Sequence, residues 1–262
     1  MENTNIDYSS SHLAILLIIV FFLYIGAVIT SNRKSHLRKW PFIRCVFWFF
    51  GILSVALSLL GPVASQAHMN FSIHMAGHIL LGMLAPMLIV LAAPVTLLLR
   101  SLPVSGARRV AQLLRKWPIR LISHPVVATI LNIGGLWLLY TTDLYMMMHH
   151  NLLLHIIIHV HVFLAGYVFT ASIIYIEPTA HRYSFIYRSI VLLLALAGHG
   201  ILSKYIYASP PDGVPRTQGE TGAMIMYYGG DLIDIILIFI LCQHWYRATR
   251  PRLIQQTQSF GV

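Results

Sequence analysis

Residues 70–100, NFSIHMAGHILLGMLAPMLIVLAAPVTLLLR, form an apolar run long enough to cross a bilayer, with two histidines inside it. Such a run leaves the backbone little choice, because in hydrocarbon every N–H and C=O must be satisfied within the segment. It reads as a helix, on which His74 and His78 lie one turn apart on one face. An ionisable side chain at mid-membrane costs about 2.5–3.5 kcal/mol by insertion scales, so it normally faces a protein interior and has a task. His155 and His159 repeat the spacing in another apolar run. Two such pairs point to a metal site held between helices.

The rest of the chain supports an all-α, polytopic membrane protein in one domain. Of its 262 residues, 57% are hydrophobic and 10% charged, where a soluble domain carries about 25% charged residues. Seven spans are predicted, at 13–29, 41–60, 71–91, 125–140, 152–176, 185–205 and 222–241, each near the ~20 residues that a bilayer needs. The first run is followed, not preceded, by Arg33, Lys34, Arg38 and Lys39, the reverse of a cleavable signal. It reads as a retained helix with its N-terminus outside. All of the 18 basic residues except Lys204 and Arg216 then fall on the inner side, as the positive-inside rule requires. The seven-helix bundle therefore ends with its C-terminus in the cytoplasm. The net charge of +10 reflects this sidedness and does not point to nucleic acid. Residues 101–120 mix five of these cations with Val110, Leu113, Leu114 and Trp117, which fits an amphipathic segment on inner-leaflet lipid or a basic loop that fixes orientation. Pro86 and Pro94 predict kinks in the third span. Glycines such as Gly82, Gly166 and Gly230 allow close helix approach. Cys45 and Cys242 form no CxxC pair and read as buried thiols.

With this topology, a rise of ~1.5 Å per residue places His74 and His78 at the same two depths as His155 and His159. His199 and Asp231 approach that outer layer from the sixth and seventh spans, with Asp234 just below. His161, two residues from His159, points away and reads as a hydrogen-bonder between helices. His68, Met69, Met75, the run Met146-Met147-Met148-His149-His150, Met224 and Met226 surround the outer mouth. Imidazole with thioether favours copper, whereas zinc more often takes carboxylate or thiolate. Against this, a lone membrane histidine is usually a hydrogen-bonder, and methionine also serves as adaptable packing. Asp231 and Asp234 read equally as a proton path or a structural hydrogen bond, and Asp143 as an interfacial residue or a carboxylate that orients a histidine.

The runs FSIHMAGHILLGMLAPMLIVLAAPVTLLLR, DLYMMMHHNLLLHIIIHVHVFLAGYVF and GETGAMIMYYGGDLID together resemble the CtaG family of bacterial cytochrome c oxidase assembly factors. His74, Met75 and His78 match its HMxxH element, and Leu154, His155, His159 and residues 163–167 its LHxxxH and FLAGY elements. Where that family often has an acidic–Gln pair, this chain has Thr217-Gln218-Gly219-Glu220. The resemblance implies a bacterial cytoplasmic-membrane protein that handles copper for an oxidase subunit and is not an enzyme. On that reading the metal ligands are His74, His78, His155 and His159, then His199 and Asp231. A haem protein with axial histidines and a metal transporter are the alternatives. No nucleophile–base pair, phosphate loop or HExxH element is present to support catalysis.

Overall fold

The computed structural model describes residues 2–251 except His68 and Ala180; the mouth residue His68 and the inner cation Arg252 thus lie outside the described residues. Those residues form helices and turns without a strand. We number the principal helices α1 (Glu2–Asn32), α2 (Phe42–Leu59), α3 (Phe71–Ser101), α4 (Pro125–Thr141), α5 (Leu144–His150), α6 (Leu152–Ile174), α7 (Phe185–Ala208) and α8 (Arg216–Thr249). Six of them are long and apolar enough to cross a membrane, and α4 with α5 makes a seventh only if the 79° bend between them lies within one span. The expected fourth span, 125–140, thus coincides with α4, which is shorter than the other six. After Thr141 the chain turns extended at Thr142, and the Thr141 and Thr142 hydroxyls donate back to the carbonyls of Trp137 and Leu138.

Helix starts follow from capping residues. Asn70 accepts from the N–H groups of Ser72 and Ile73, Asn151 from Leu154, and Ser184 from Tyr187, each satisfying a first-turn donor that the helix cannot. Gln218 adds to the α3 start, accepting from Phe71 N–H at 3.0 Å. The position set against the family's acidic–Gln pair therefore caps a helix, while Glu220 pairs with Arg216 on the surface.

Helix α3 is the central rod. Half of its span is buried, against 6% of α1's. Two irregularities accompany its prolines. A π-helical turn at Leu80–Leu84, closed by the Ala85 N–H donating to the Leu80 carbonyl, directly precedes Pro86, which has no N–H to donate. At Ala93 the backbone turns left-handed (φ 54°) and Pro94 starts a new helical segment. At the π turn α3 meets α6 backbone to backbone: a Cβ on Gly166 would collide with the Gly82 carbonyl. The expected close approach through small residues is seen there.

The basic residues gather at one pole. Lys34 Nζ donates to the carbonyls of Arg100, Ser101 and Leu102, joining the end of α1 to the end of α3. Arg44 and Arg100 stack on Trp40, and Phe185 stacks on Trp245 to bring α7 and α8 to the same pole. Between α3 and α4 the chain forms two short helices, Val104–Leu114 and Trp117–Ile122, which leave Val104, Leu113, Trp117 and Leu121 exposed. Their apolar side chains face outward, as an interfacial segment requires.

Candidate functional site

The far pole carries six histidines that converge. His74 and His78 are buried on α3. The His74 ring lies 6.5 Å from that of His159 on α6 and 6.3 Å from that of His149 on α5. His155 stacks on His159 at 4.1 Å. His78 faces inward to His199 on α7, ring centroids 6.5 Å apart and nearly parallel. The chain thus has an outer tier of His74, His149, His155 and His159 and an inner tier of His78 and His199.

Backbone geometry sets the tautomers in the outer tier. His149 Nδ1 donates to the Tyr145 carbonyl at 2.9 Å, and His159 Nδ1 donates to the His155 carbonyl at 2.8 Å. A carbonyl only accepts, so Nδ1 carries the proton in both rings and Nε2 holds the lone pair. Metal-binding histidines are commonly held in just this way, by a hydrogen bond to the other ring nitrogen. His74 Nε2 shares a 3.2 Å hydrogen bond with the Tyr140 hydroxyl, and the rings of Phe71, Tyr140 and Tyr145 pack around it.

Each tier borders a small cavity. One of about 30 Å³ touches His74, His78, Tyr140, Met148 and His159. The other, of about 20 Å³, touches His78, Asn132, His199 and Asp234. Each has room for about one water. His78 lines both, and the Nε2 atoms of His78 and His199 are buried without a hydrogen-bond partner. The largest cavity of the three, about 570 Å³, lies at the basic pole beside His124 and Tyr183, remote from these rings.

The residues singled out in the sequence are placed as follows. His74, His78, His155, His159 and His199 join the two tiers. Asp231 does not: it lies on the exposed outer face of α8, while Asp234 is buried beside His199. His161 donates across the helix pair to the Leu131 carbonyl at 3.1 Å, the interhelical role expected of it. Met75, Met148 and Met226 are packed in the core around Phe71 and Tyr140, and Met69 and Met147 are exposed. Among the described residues, no three His, Cys, Asp or Glu side chains stand close enough to hold one ion. Two imidazoles bound at about 2.0 Å have ring centroids at most about 6.3 Å apart, so His74 and His149 stand at that limit and His74 and His159 just beyond it. Sequence reasoning placed His149 only at the mouth and missed Tyr140 and Tyr145; Tyr140 reaches His74 from the end of α4, and the bend before α5 brings Tyr145 and His149 over it.

The family model for the cytochrome c oxidase caa3 assembly factor (Caa3_CtaG) matches residues 22–248. An uncharacterized protein of Mycobacterium leprae is 29% identical over 245 residues, 86% of this chain and 37% of that protein. Uncharacterized proteins of Mycobacterium bovis and Mycobacterium tuberculosis are each 31% identical over 169 residues, 61% of this chain and 25% of theirs. The chain therefore spans between a quarter and two fifths of the length of these relatives. No solved structure matches it.

Proposed function

The chain belongs to the cytochrome c oxidase caa3 assembly factor family, and from that premise we propose that it holds copper in the membrane and passes it to an oxidase subunit. Copper is cargo in this reading, and the chain is not an enzyme. The observation that carries it is the outer tier: imidazoles from three helices meet around His74, two of them with the proton fixed on Nδ1. Binding draws α5 and α6 toward α3, since the rings stand at the edge of the range one ion can share. The Met148 side chain borders the same cavity, and thioether with imidazole favours copper over harder ions. Release needs a site that opens again, and α5, a seven-residue helix between two breaks, is the element placed to open it. His78 would take the ion inward, toward His199, or receive it from there.

This reading puts the histidine pole on the outer side of a bacterial cytoplasmic membrane, with N-terminus out and C-terminus in. A haem between these histidines fits less well, because cavities of about 30 and 20 Å³ are far smaller than a porphyrin. The test is metal analysis of the detergent-purified chain after copper loading. The double variant His78→Ala, His159→Ala is expected to lose bound copper and, in cells, to lower the copper content of the oxidase. Unchanged copper stoichiometry in that variant overturns the proposal.

A further inference from the structure

Asp231 sits where a carboxylate has no evident reason to be. On α8 it lies about 13 Å along the axis from Gly222 and about 21 Å from Trp245, deep in the apolar stretch. Its neighbour Gly230 packs against His199, and Ile233 and Asp234 are buried. That orients the other arc of α8 outward. Asp231 is exposed there with Tyr228, Leu232, Ile235 and Phe239, each more than 60% exposed. Among the described residues nothing pairs it, and the ion pair found is Arg216 with Glu220. Lys204 on α7 lies instead over the Tyr227 ring, 5.5 Å from its centroid, a turn nearer the histidine pole.

Aliphatic and aromatic residues on this face need only lipid. A carboxylate at the same depth is costly in hydrocarbon unless a donor or cation meets it. Resting on the assembly-factor reading, we propose that the outward face of α8 centred on Asp231 docks a transmembrane helix of the client oxidase. That helix presents a basic or hydrogen-bond-donating side chain at the depth of Asp231. Charge complementarity selects this occupant over a second copy of the chain. A two-fold contact through this face would set Asp231 against its own copy, like charge to like charge, and a head-to-tail contact between copies would need a cation from another face at this depth, whereas the exposed cations among the described residues lie at helix ends and in the connections. The flanking Tyr228, Leu232 and Ile235 supply the van der Waals surface that holds helices together in lipid.

The experiment uses the full chain in membranes, co-expressed with a cytochrome c oxidase. A photoreactive amino acid replaces Leu232 or Ile235 on this face, or Phe22 on the exposed face of α1 as a control. Adducts with an oxidase subunit are expected from positions 232 and 235 and not from 22. Asp231→Leu should lower their yield at least fivefold, and Asp231→Asn, which keeps hydrogen bonding, should retain an intermediate yield. Equal yields from all three positions, no effect of Asp231→Leu, or adducts only between copies of this chain each overturn the inference. The copper content of purified Asp231→Leu separates this from the copper reading, because Asp231 borders neither histidine cavity. If the wild-type chain never retains copper yet the adducts depend on Asp231, the docking face stands and the copper site falls. If copper is retained and the adducts do not depend on Asp231, the reverse holds.

Discussion

His78 and His199 are buried with Nε2 atoms that no protein group satisfies, beside a cavity that holds at most one water. A buried polar atom left unpaired costs about 1–3 kcal/mol, and an apolar side chain of similar size removes that cost. His199→Leu is therefore expected to raise the Tm of the purified chain while lowering its copper retention. A lower Tm would show that His199 serves the packing of α7 on α8 instead. The paired histidines on α3 and α6 were legible in the sequence because a four-residue step always returns to the same helical face. Which of Asp231 and Asp234 enters the bundle was not legible. Residue number sets depth, but the rotation of α8 about its own axis is set by contacts such as Gly230 on His199, which involve residues 31 positions apart. Convergence itself was equally out of reach, since the order of helices around a bundle leaves no trace in apolar periodicity.

At the level of elements, α3 shows how a broken helix is kept in one line. Restarting at Pro94 exposes a fresh set of unpaired N–H groups inside the protein. Glu177, just beyond the end of α6, accepts from Val95 N–H at 2.8 Å, Thr96 N–H at 2.9 Å and the Thr96 hydroxyl at 2.8 Å. A buried acceptor is thus supplied from another helix to the positive end of this one. The two prolines announced kinks in the sequence, but nothing local announced the cap, because its carboxylate lies more than 80 residues away. Tyr24 adds a second tie at the break, donating to the Ala92 carbonyl at 2.9 Å. Glu177→Ala strips three hydrogen bonds from partly buried groups. It is expected to destabilise the chain by about 2–3 kcal/mol, read as a lower Tm in detergent. Little effect is expected on copper bound at the opposite pole. A Tm unchanged within error would mean that the segment after Pro94 finds its acceptors elsewhere.

The whole molecule is polar in the geographic sense, with cations tied together at one end and imidazoles gathered at the other. Contacts across the helices fix this: Lys34 on the end of α3, Trp245 against Phe185, and Gln218 on Phe71 at the opposite pole. The two poles cannot exchange sides of the membrane independently, so one experiment orients the molecule. On the proposed topology, loops rich in Lys and Arg stay in the cytoplasm, and the histidine tiers face outward with the bent α5 and the segment between α7 and α8. In a background with Cys45→Ser and Cys242→Ser, single cysteines report each side. Asp212→Cys lies in the α7–α8 connection and Ser105→Cys in the basic segment, both at exposed positions. A membrane-impermeant maleimide applied to intact cells is expected to label position 212 at once and position 105 only after the cells are permeabilised. Labelling in the opposite order would invert the protein. It would place the imidazoles on the cytoplasmic side, so that any copper they carry is loaded or released there.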